Sequence, residues 1–531
     1  MANGARDADV AVIGGAYAGA AAALLLKRRN PTWRVVILEK AEQFDRKVGE
    51  STTEVSSRFM TSVLGIARHL GHEHLNKQGL RMWFTTGPSL DFERCAEIGS
   101  RNNSRLSGFQ VDRAVLDEHL LSLAVEAGCE LRRPAKVVNL ELGGAGKNRI
   151  EIDQDGHRET IAARWVVDAS GRAALIARKQ GLLTPLTEHP INAIWARFKG
   201  VRDWDGYAMR QRFPAYAKAC NTGRQWATNH LTGYGWWCWI IPLKGGDTSI
   251  GLVYDKRLYT PPMPREGATL AERLRAHWMQ NPVGRELLAD AEPIAGDVRA
   301  YSQLPYSVSR LAGDGWVLAG DAAGFLDPFY SPGLDFCSYT AHHAHTLIGD
   351  ALEGKPIDLD RANKRFARCF QAWFTSIYRD KYFYIGDAEL MSAAFLLDIG
   401  SYHLGPVREV FACPSHYSHF PFWGRGGALA AKVLSFLNRR LAAIARKKVA
   451  AGTFGDRNAD SRLLIGGFLP DQTSGKLFLV GVLRWLVAEL RAWRLPAAPV
   501  DLPAQQETAA SAHASGEALQ PALAEAHPKP R

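Results

Sequence analysis

Hydrophobic positions near the start of the chain fall into a strand, a break and a helix. Asp9-Val10-Ala11-Val12-Ile13 is apolar and β-branched, Gly14-Gly15-Ala16-Tyr17-Ala18-Gly19 interrupts it, and the Ala- and Leu-rich stretch that follows to Arg29 has helical spacing. Val35, Val36, Ile37 and Leu38 form a second apolar run, which ends on Glu39, twenty residues after Gly19. The spacing predicts a βαβ unit that holds the ADP half of a dinucleotide. A carboxylate at position 39 accepts both ribose hydroxyls, and the helix N-terminus near Gly19 offers free N–H groups and a positive dipole end to a pyrophosphate. Ala16 stands where G-x-G-x-x-G has its second glycine, so a methyl crowds the closest backbone approach.

Further along, Arg46-Lys47-Val48-Gly49-Glu50-Ser51-Thr52 is a polar loop opening an amphipathic helix that runs to about Leu70. Its Ser, Thr and N–H groups suit a cofactor rim or a helix cap equally well. Strand character covers residues 80–92, a helix is expected over 114–128 after Gly108 to Arg113, and strands follow over 131–142 and 149–152. Arg164-Trp165-Val166-Val167-Asp168-Ala169-Ser170-Gly171-Arg172 reads as a strand ending in a small-residue turn that passes close to the nucleotide. Residues 190–295 are aromatic, strand-rich and broken by Gly and Pro, which suggests a second sheet covering a substrate cavity. Trp316 to Gly324 returns to strand, turn and helix, with Asp321 placed to bond a ribityl hydroxyl. From about residue 341 to 493 helices dominate. Residues 496–531 lack periodicity and are expected to be disordered.

At 531 residues and 46% hydrophobic content the chain can bury a sizeable core, in two or three domains. The formal charge of +11 is spread out, without the Lys/Arg run of a nucleic-acid arm. Arg439, Arg440, Arg446, Lys447 and Lys448 lie on an Ala/Leu-rich helix; this is a solvated face or a surface for an acidic partner or a membrane. Seven scattered cysteines show no C-x-x-C and no metal spacing, so they read as reduced thiols of a cytoplasmic protein with no metal site. No secretion signal or membrane span is expected, while peripheral membrane contact stays open.

Three separated stretches, Gly14 to Gly19 with Glu39, Asp168 to Arg172, and Gly320 to Gly324, resemble the FAD-binding pattern of p-hydroxybenzoate-hydroxylase-type flavoproteins. Within that superfamily the chain resembles the flavin-dependent halogenases of the non-tryptophan type. Trp237-Cys238-Trp239-Ile240-Ile241-Pro242 fits their W-x-W-x-I-P motif, Val48-Gly49-Glu50-Ser51-Thr52 their V-G-E segment, and Lys77-Gln78-Gly79 their catalytic K-x-G. The resemblance implies an α/β FAD-binding fold with an inserted substrate-covering sheet and a C-terminal helical region. The FAD-binding domain would span 8–350, discontinuously, with the sheet drawn from about 80–107 and 190–295, followed by helices over 351–495 and the tail over 496–531. FAD contacts are expected at Gly14, Gly15, Ala16, Ala18, Gly19, Glu39, Lys40, Gly49, Ser51, Arg113, Asp168, Gly171, Gly320, Asp321 and Gly324.

The implied activity is halogenation of an electron-rich aromatic or conjugated metabolite in secondary metabolism, with O2 and halide as co-substrates. A flavin C4a-hydroperoxide oxidises halide to hypohalous acid, Lys77 relays it, and Trp237 and Trp239 keep the substrate away from the flavin. By residue type alone, the two indoles would be core and Lys77 a surface loop lysine; His230 and Tyr330 are left as structural residues. Without a second glycine-rich βαβ unit, reduced FAD has to come from a separate flavin reductase. The substrate is a small molecule, free or tethered to an acidic carrier protein.

Three positions depart from the halogenase pattern. In Asp327-Pro328-Phe329-Tyr330-Ser331-Pro332-Gly333-Leu334, Pro332 has no N–H, which leaves the amides of Gly333 and Leu334 for halide. Tyr330 replaces the glutamate that serves tryptophan, and Glu54 replaces a common proline, so tryptophan is not the expected substrate. Two other readings remain: a halogenase-like monooxygenase or dehydrogenase that does not use halide, and a flavin-binding partner without turnover.

Overall fold

The computed structural model describes residues 8–86, 91–221, 223–422 and 424–496. Its first sheet is built around Ala8–Ile13, flanked in parallel by Val35–Leu38 on one side and by the C-terminal half of His157–Asp168 on the other. Glu130–Arg132 and Trp316–Leu318 extend the parallel set outward. Such strands are buried on both faces, which is why Val10, Ala11, Val12 and Ile37 form an uninterrupted apolar run rather than an alternating one. Helix Tyr17–Arg29 is buried from Tyr17 through Leu26 and carries no charge before Lys27. It packs between helices Arg113–Glu126 and Gly333–Leu352.

The second sheet contains Leu80–Phe84, Ala96–Ser100, Ile191–Lys199, Thr228–Gly233, Trp236–Pro242 and Thr248–Asp255. Alternation along Trp236–Pro242 divides two cores. Trp237, Trp239 and Ile241 face the main core, whereas Trp236, Cys238 and Ile240 face a satellite core. Helices Tyr207–Arg212, Pro214–Lys218, Leu270–Met279 and Pro282–Leu287 lie in the segment whose sequence suggested strands; Leu274, Trp278 and Leu287 close the satellite core from them. Arg462–Ile465, from the helical C-terminal part, pairs in parallel with Ala96–Ser100 and covers the sheet's edge.

The single helix expected up to Leu70 is instead three pieces. Glu54–Arg58 runs into a π-helical turn, Phe59–Leu64, which stops at Gly65 with φ 78°, and Ala67–Glu73 follows. The helix expected directly after the third nucleotide turn begins only at Gly333, beyond a loop that follows the short turn Gly320–Ala323. Leu359–Trp373, Ala388–Tyr402, Gly424–Ala450 and Gln472–Ala492 are the long helices of the C-terminal part among the described residues. The expected disordered tail lies, beyond Pro496, outside the described residues, as do residues 87–90 of the strand expected over 80–92.

Candidate active site

The nucleotide cleft forms where the first sheet's strands end. Gly14 takes φ 96°, and a Cβ on it would fall 2.4 Å from the carbonyl oxygen of Ala169. A Cβ on Gly19 would lie 1.8 Å from the Gly14 oxygen, so the crossing of strand, turn and helix is closed to any side chain. Ala16 is the N-cap of Tyr17–Arg29 and no side chain caps that helix end. Glu39 is buried beside it: Oε2 accepts from the Gly15 amide at 2.8 Å and Oε1 from the Ala41 amide at 2.9 Å. An uncapped helix end, two bare crossings and a buried carboxylate at the second strand's tip fit the ADP half of FAD. Lys40, next along, is exposed.

The remaining expected cofactor contacts divide. Gly320 has φ 62°, Gly324 φ 138° and Gly171 φ 65°, and Ala18 packs against Gly320. Burial pushes the Asp321 carboxyl up, against the pull of Arg172, Arg113 and Lys47. Arg113 chelates Asp117 and reaches the Val48 carbonyl beside Gly49. Asp168, fully buried, accepts from the amides of Ser170 at 3.0 Å and Ile176 at 2.7 Å in its own loop, and so shapes the turn. Ser51 is likewise engaged, with Thr228 at 2.8 Å. Glu50 forms a buried ion pair with Arg197, which joins this loop to the second sheet.

Lys77 lies in the wall of a cavity of about 420 Å³ between the 52–54 loop, residues 104–108, the 330–335 loop and the C-terminal helices. The short pairing of Leu75–Asn76 with Phe109–Gln110 positions it; its amide donates to the Gly108 carbonyl and its aliphatic stem lies over Gly108. Its ammonium is 2.7 Å from the carbonyl oxygen of Thr52. Burial lowers its pKa to about 8, opposed by Glu54 and Asp335.

Two acidic groups of this cavity, Asp335 and Asp398, come from positions without a sequence signal. Asp335, on the first turn of Gly333–Leu352, accepts from the Thr53 hydroxyl, the Ser56 amide and the Tyr402 hydroxyl, which anchors the start of Glu54–Arg58. Burial raises its pKa to about 6. Asp398 accepts from Lys381 at 2.6 Å and from Tyr330 at 3.1 Å. Glu54 is 3.7 Å from His403; burial pushes its pKa up, but His403 and Lys77 outweigh this and leave it below the usual carboxylate range. Only the departure at Glu54 could have pointed here from sequence, since Asp398 and Tyr402 sit on a helix whose apolar residues give no stripe.

Trp237 and Trp239 do not line this cavity. Trp237 packs edge-on to Phe329 at 5.2 Å and donates to Tyr382, and Trp239 donates to Ser249. Phe329 in turn packs at a tilt against Tyr330, which does face the cavity, so the tryptophans support its wall from behind. His230 packs against Trp237 and Phe329, and burial lowers its pKa to about 3. In the adjoining loop Tyr330 and Ser331 both take positive φ, at 67° and 60°. Pro332 follows as N-cap of Gly333–Leu352, without a side-chain cap, so the amides of Gly333 and Leu334 begin a twenty-residue helix.

A family model described as FAD binding domain matches residues 7–361. Among curated relatives, flavin-dependent halogenase chlA of Dictyostelium discoideum is 25% identical over 75% of this chain and 72% of its own length. Sulochrin halogenase gedL of Aspergillus terreus is 28% identical over 66% of this chain and 65% of its own, and tetracycline 7-halogenase of Kitasatospora aureofaciens 27% over 62% and 61%. The match thus spans less than two thirds of the latter two. The crystal structure of halogenase PltM superposes with a TM-score of 0.69 at 17% identity, covering 91% of this chain and 97% of that one, and a further structure holds PltM with phloroglucinol and FAD. Brominase Bmp2 gives 0.61 at 21% identity over 82% and 99%. At those identities the structural likeness speaks for the fold alone, while the curated relatives bear out the resemblance drawn from the motifs. With its uncapped nucleotide helix, glycine crossings and buried Glu39, the chain belongs to the FAD-binding-domain family, among the FAD-dependent oxidoreductases related to flavin-dependent halogenases.

Proposed function

We propose that the protein is a reduced-FAD- and O2-dependent halogenase of an electron-rich aromatic or conjugated metabolite. The observation that supports this reading most strongly is Lys77: a buried ammonium with a pKa near 8 in the wall of a largely apolar cavity. When bound, reduced FAD would supply the two electrons that activate dioxygen, which then oxidises halide to hypohalous acid. Lys77 holds the hypohalous acid by hydrogen bonding and protonates its oxygen as halogen passes to the substrate carbon, so that water leaves. Glu54, held ionised by His403, takes the ring proton. Lys77 must be reprotonated between turnovers, and Glu54 and Asp335 favour its charged form. Gly333 and Leu334 offer the halide two amides at a helix N-terminus.

The reducing equivalents come from a separate flavin reductase. The substrate is free or carrier-bound; one relative, from Pseudomonas fluorescens, is named for a pyrrole-2-carbonyl carrier-protein substrate. Pro332, lacking an N–H, favours the second reading, a monooxygenase or dehydrogenase that does not use halide. The test is a halide titration of product mass with photoreduced FAD and air, wild type beside Pro332→Ser. The first reading expects saturable halide dependence, with a KM for halide about ten- to a hundredfold lower in Pro332→Ser, as for one added hydrogen bond to an anion. Oxygenated or desaturated product at every halide concentration overturns it in favour of the second.

A further inference from the structure

Helix Gln472–Ala492 leaves Leu479, Leu483, Leu486 and Leu490 exposed, with Trp493 just beyond its end. Their spacing alternates four and three residues, which aligns them in one seam along the helix. Leu483 is 61% and Trp493 71% exposed, and their alignment in one row, rather than the exposure of any single side chain, makes a contiguous apolar patch. Helix Gly424–Ala450 sets Leu429, Val433 and Phe436 beside this seam, with the ring of Phe436 against Trp485. The two helices thus present one continuous apolar face.

The charge on these two helices is predominantly cationic, although Arg491 and the buried Lys448 are paired to Glu389. Gly424–Ala450 contains seven Lys and Arg residues and no acid; Gln472–Ala492 contains three and a single Glu489, which is paired to Arg440. Arg425, Lys432 and Arg439 recur every seven residues and so form a row along one flank of the apolar stripe. Lys476 and Arg494 bracket the other seam at its two ends. Two copies of this face would oppose cationic rows, which disfavours self-association. An interfacial helix pair with an apolar face, a basic rim and a tryptophan at its end matches the boundary of an anionic bilayer. Among the described residues no helix is long and apolar enough to cross a membrane, so the contact lies in the plane of the surface.

We infer that the face formed by Gly424–Ala450 and Gln472–Ala492 docks the protein on an anionic phospholipid surface. Thr473 and Leu477, on the first turns of the same helix, line the cavity described above, so docking brings the cavity wall close to the lipid boundary. Binding rests on the apolar seam and the basic rim together and is independent of the reaction proposed for the cavity.

The experiment is flotation of the full chain with vesicles of equimolar phosphatidylglycerol and phosphatidylcholine, beside vesicles of phosphatidylcholine alone. Flotation is expected with the first and not the second, and should fall as salt rises. Lys432→Gln with Arg439→Gln should weaken binding by at least about tenfold, and Leu483→Ser with Leu490→Ser should abolish it, with far-UV circular dichroism unchanged in both. Absence of flotation with either lipid overturns the inference, as does equal binding to neutral vesicles. A dimer in sedimentation velocity that Leu483→Ser with Leu490→Ser dissociates, without lipid binding, would overturn it in favour of a self-interface.

Discussion

Lys77 donates to the carbonyl oxygen of Thr52, the residue that opens the segment bearing Thr53 and Glu54 into the same cavity. The bond holds the ammonium at a fixed point on the wall, and burial lowers its pKa to about 8. If the ammonium is the working form, product formation should fall as pH rises through about 8, well below the ordinary lysine value of 10.5. A pH profile of product yield checks this, and a limb displaced beyond pH 10 would remove Lys77 from the relay. Lys77→Met should bind FAD at wild-type affinity and form no halogenated product.

Asp335 has the opposite sign. Its folded pKa of about 6 lies above its ordinary 3.8, so between those values the folded chain binds more protons than the unfolded one, and stability falls as pH rises through that window. Above it, the buried charge costs at most about 3 kcal/mol. Urea melts of wild type and Asp335→Asn from pH 4 to 7 should diverge in slope, with the wild type losing stability relative to the variant as pH rises. Parallel curves would mean the carboxylate is ionised throughout.

Asp398 and Lys381 form a buried ion pair at the cavity wall, with Tyr330 as a third member. Asp398→Leu leaves an unpaired buried ammonium and should cost about 3–5 kcal/mol in unfolding free energy. The double variant Asp398→Leu, Lys381→Met should recover most of that, because both charges are removed together. Equal losses in single and double variants would show that packing, not charge, dominates.

Glu39 caps the nucleotide turn through Gly15 and Ala41, and we propose it as the ribose ligand. Glu39→Gln should weaken FAD binding by about 1–3 kcal/mol in a fluorescence titration, with folding retained. Unchanged affinity would assign Glu39 to the turn alone.

The parts legible in the sequence were those whose physics is local. The strand, glycine break and helix at 9–29 require only neighbouring residues, and Glu39 follows by counting. Glu50 stood within a motif, but its partner Arg197 comes from a strand far along the chain, so its role as an ionic tie was not readable. Trp237 and Trp239 share a face as alternation demands, yet which layer that face meets depends on Phe329 and Tyr330. Asp335, Asp398 and Tyr402 meet at one cavity only because helices distant in sequence pack around it, and no periodicity marks such a meeting. The helices within 190–295 leave no sequence mark, because aromatic density is shared by strands, whereas Trp278 and Tyr216 serve the satellite core from helices.

Arg462–Ile465 lies against Ala96–Ser100, although the two are far apart in the chain. A ribosome would therefore release most of the second sheet while that edge still has no partner, and Arg462–Ile465 would arrive only after the whole intervening chain has emerged. During that interval the unpaired edge is open to strands of neighbouring nascent chains. Yield on overexpression should then depend on chaperone supply and synthesis rate more than on the stability of the finished fold.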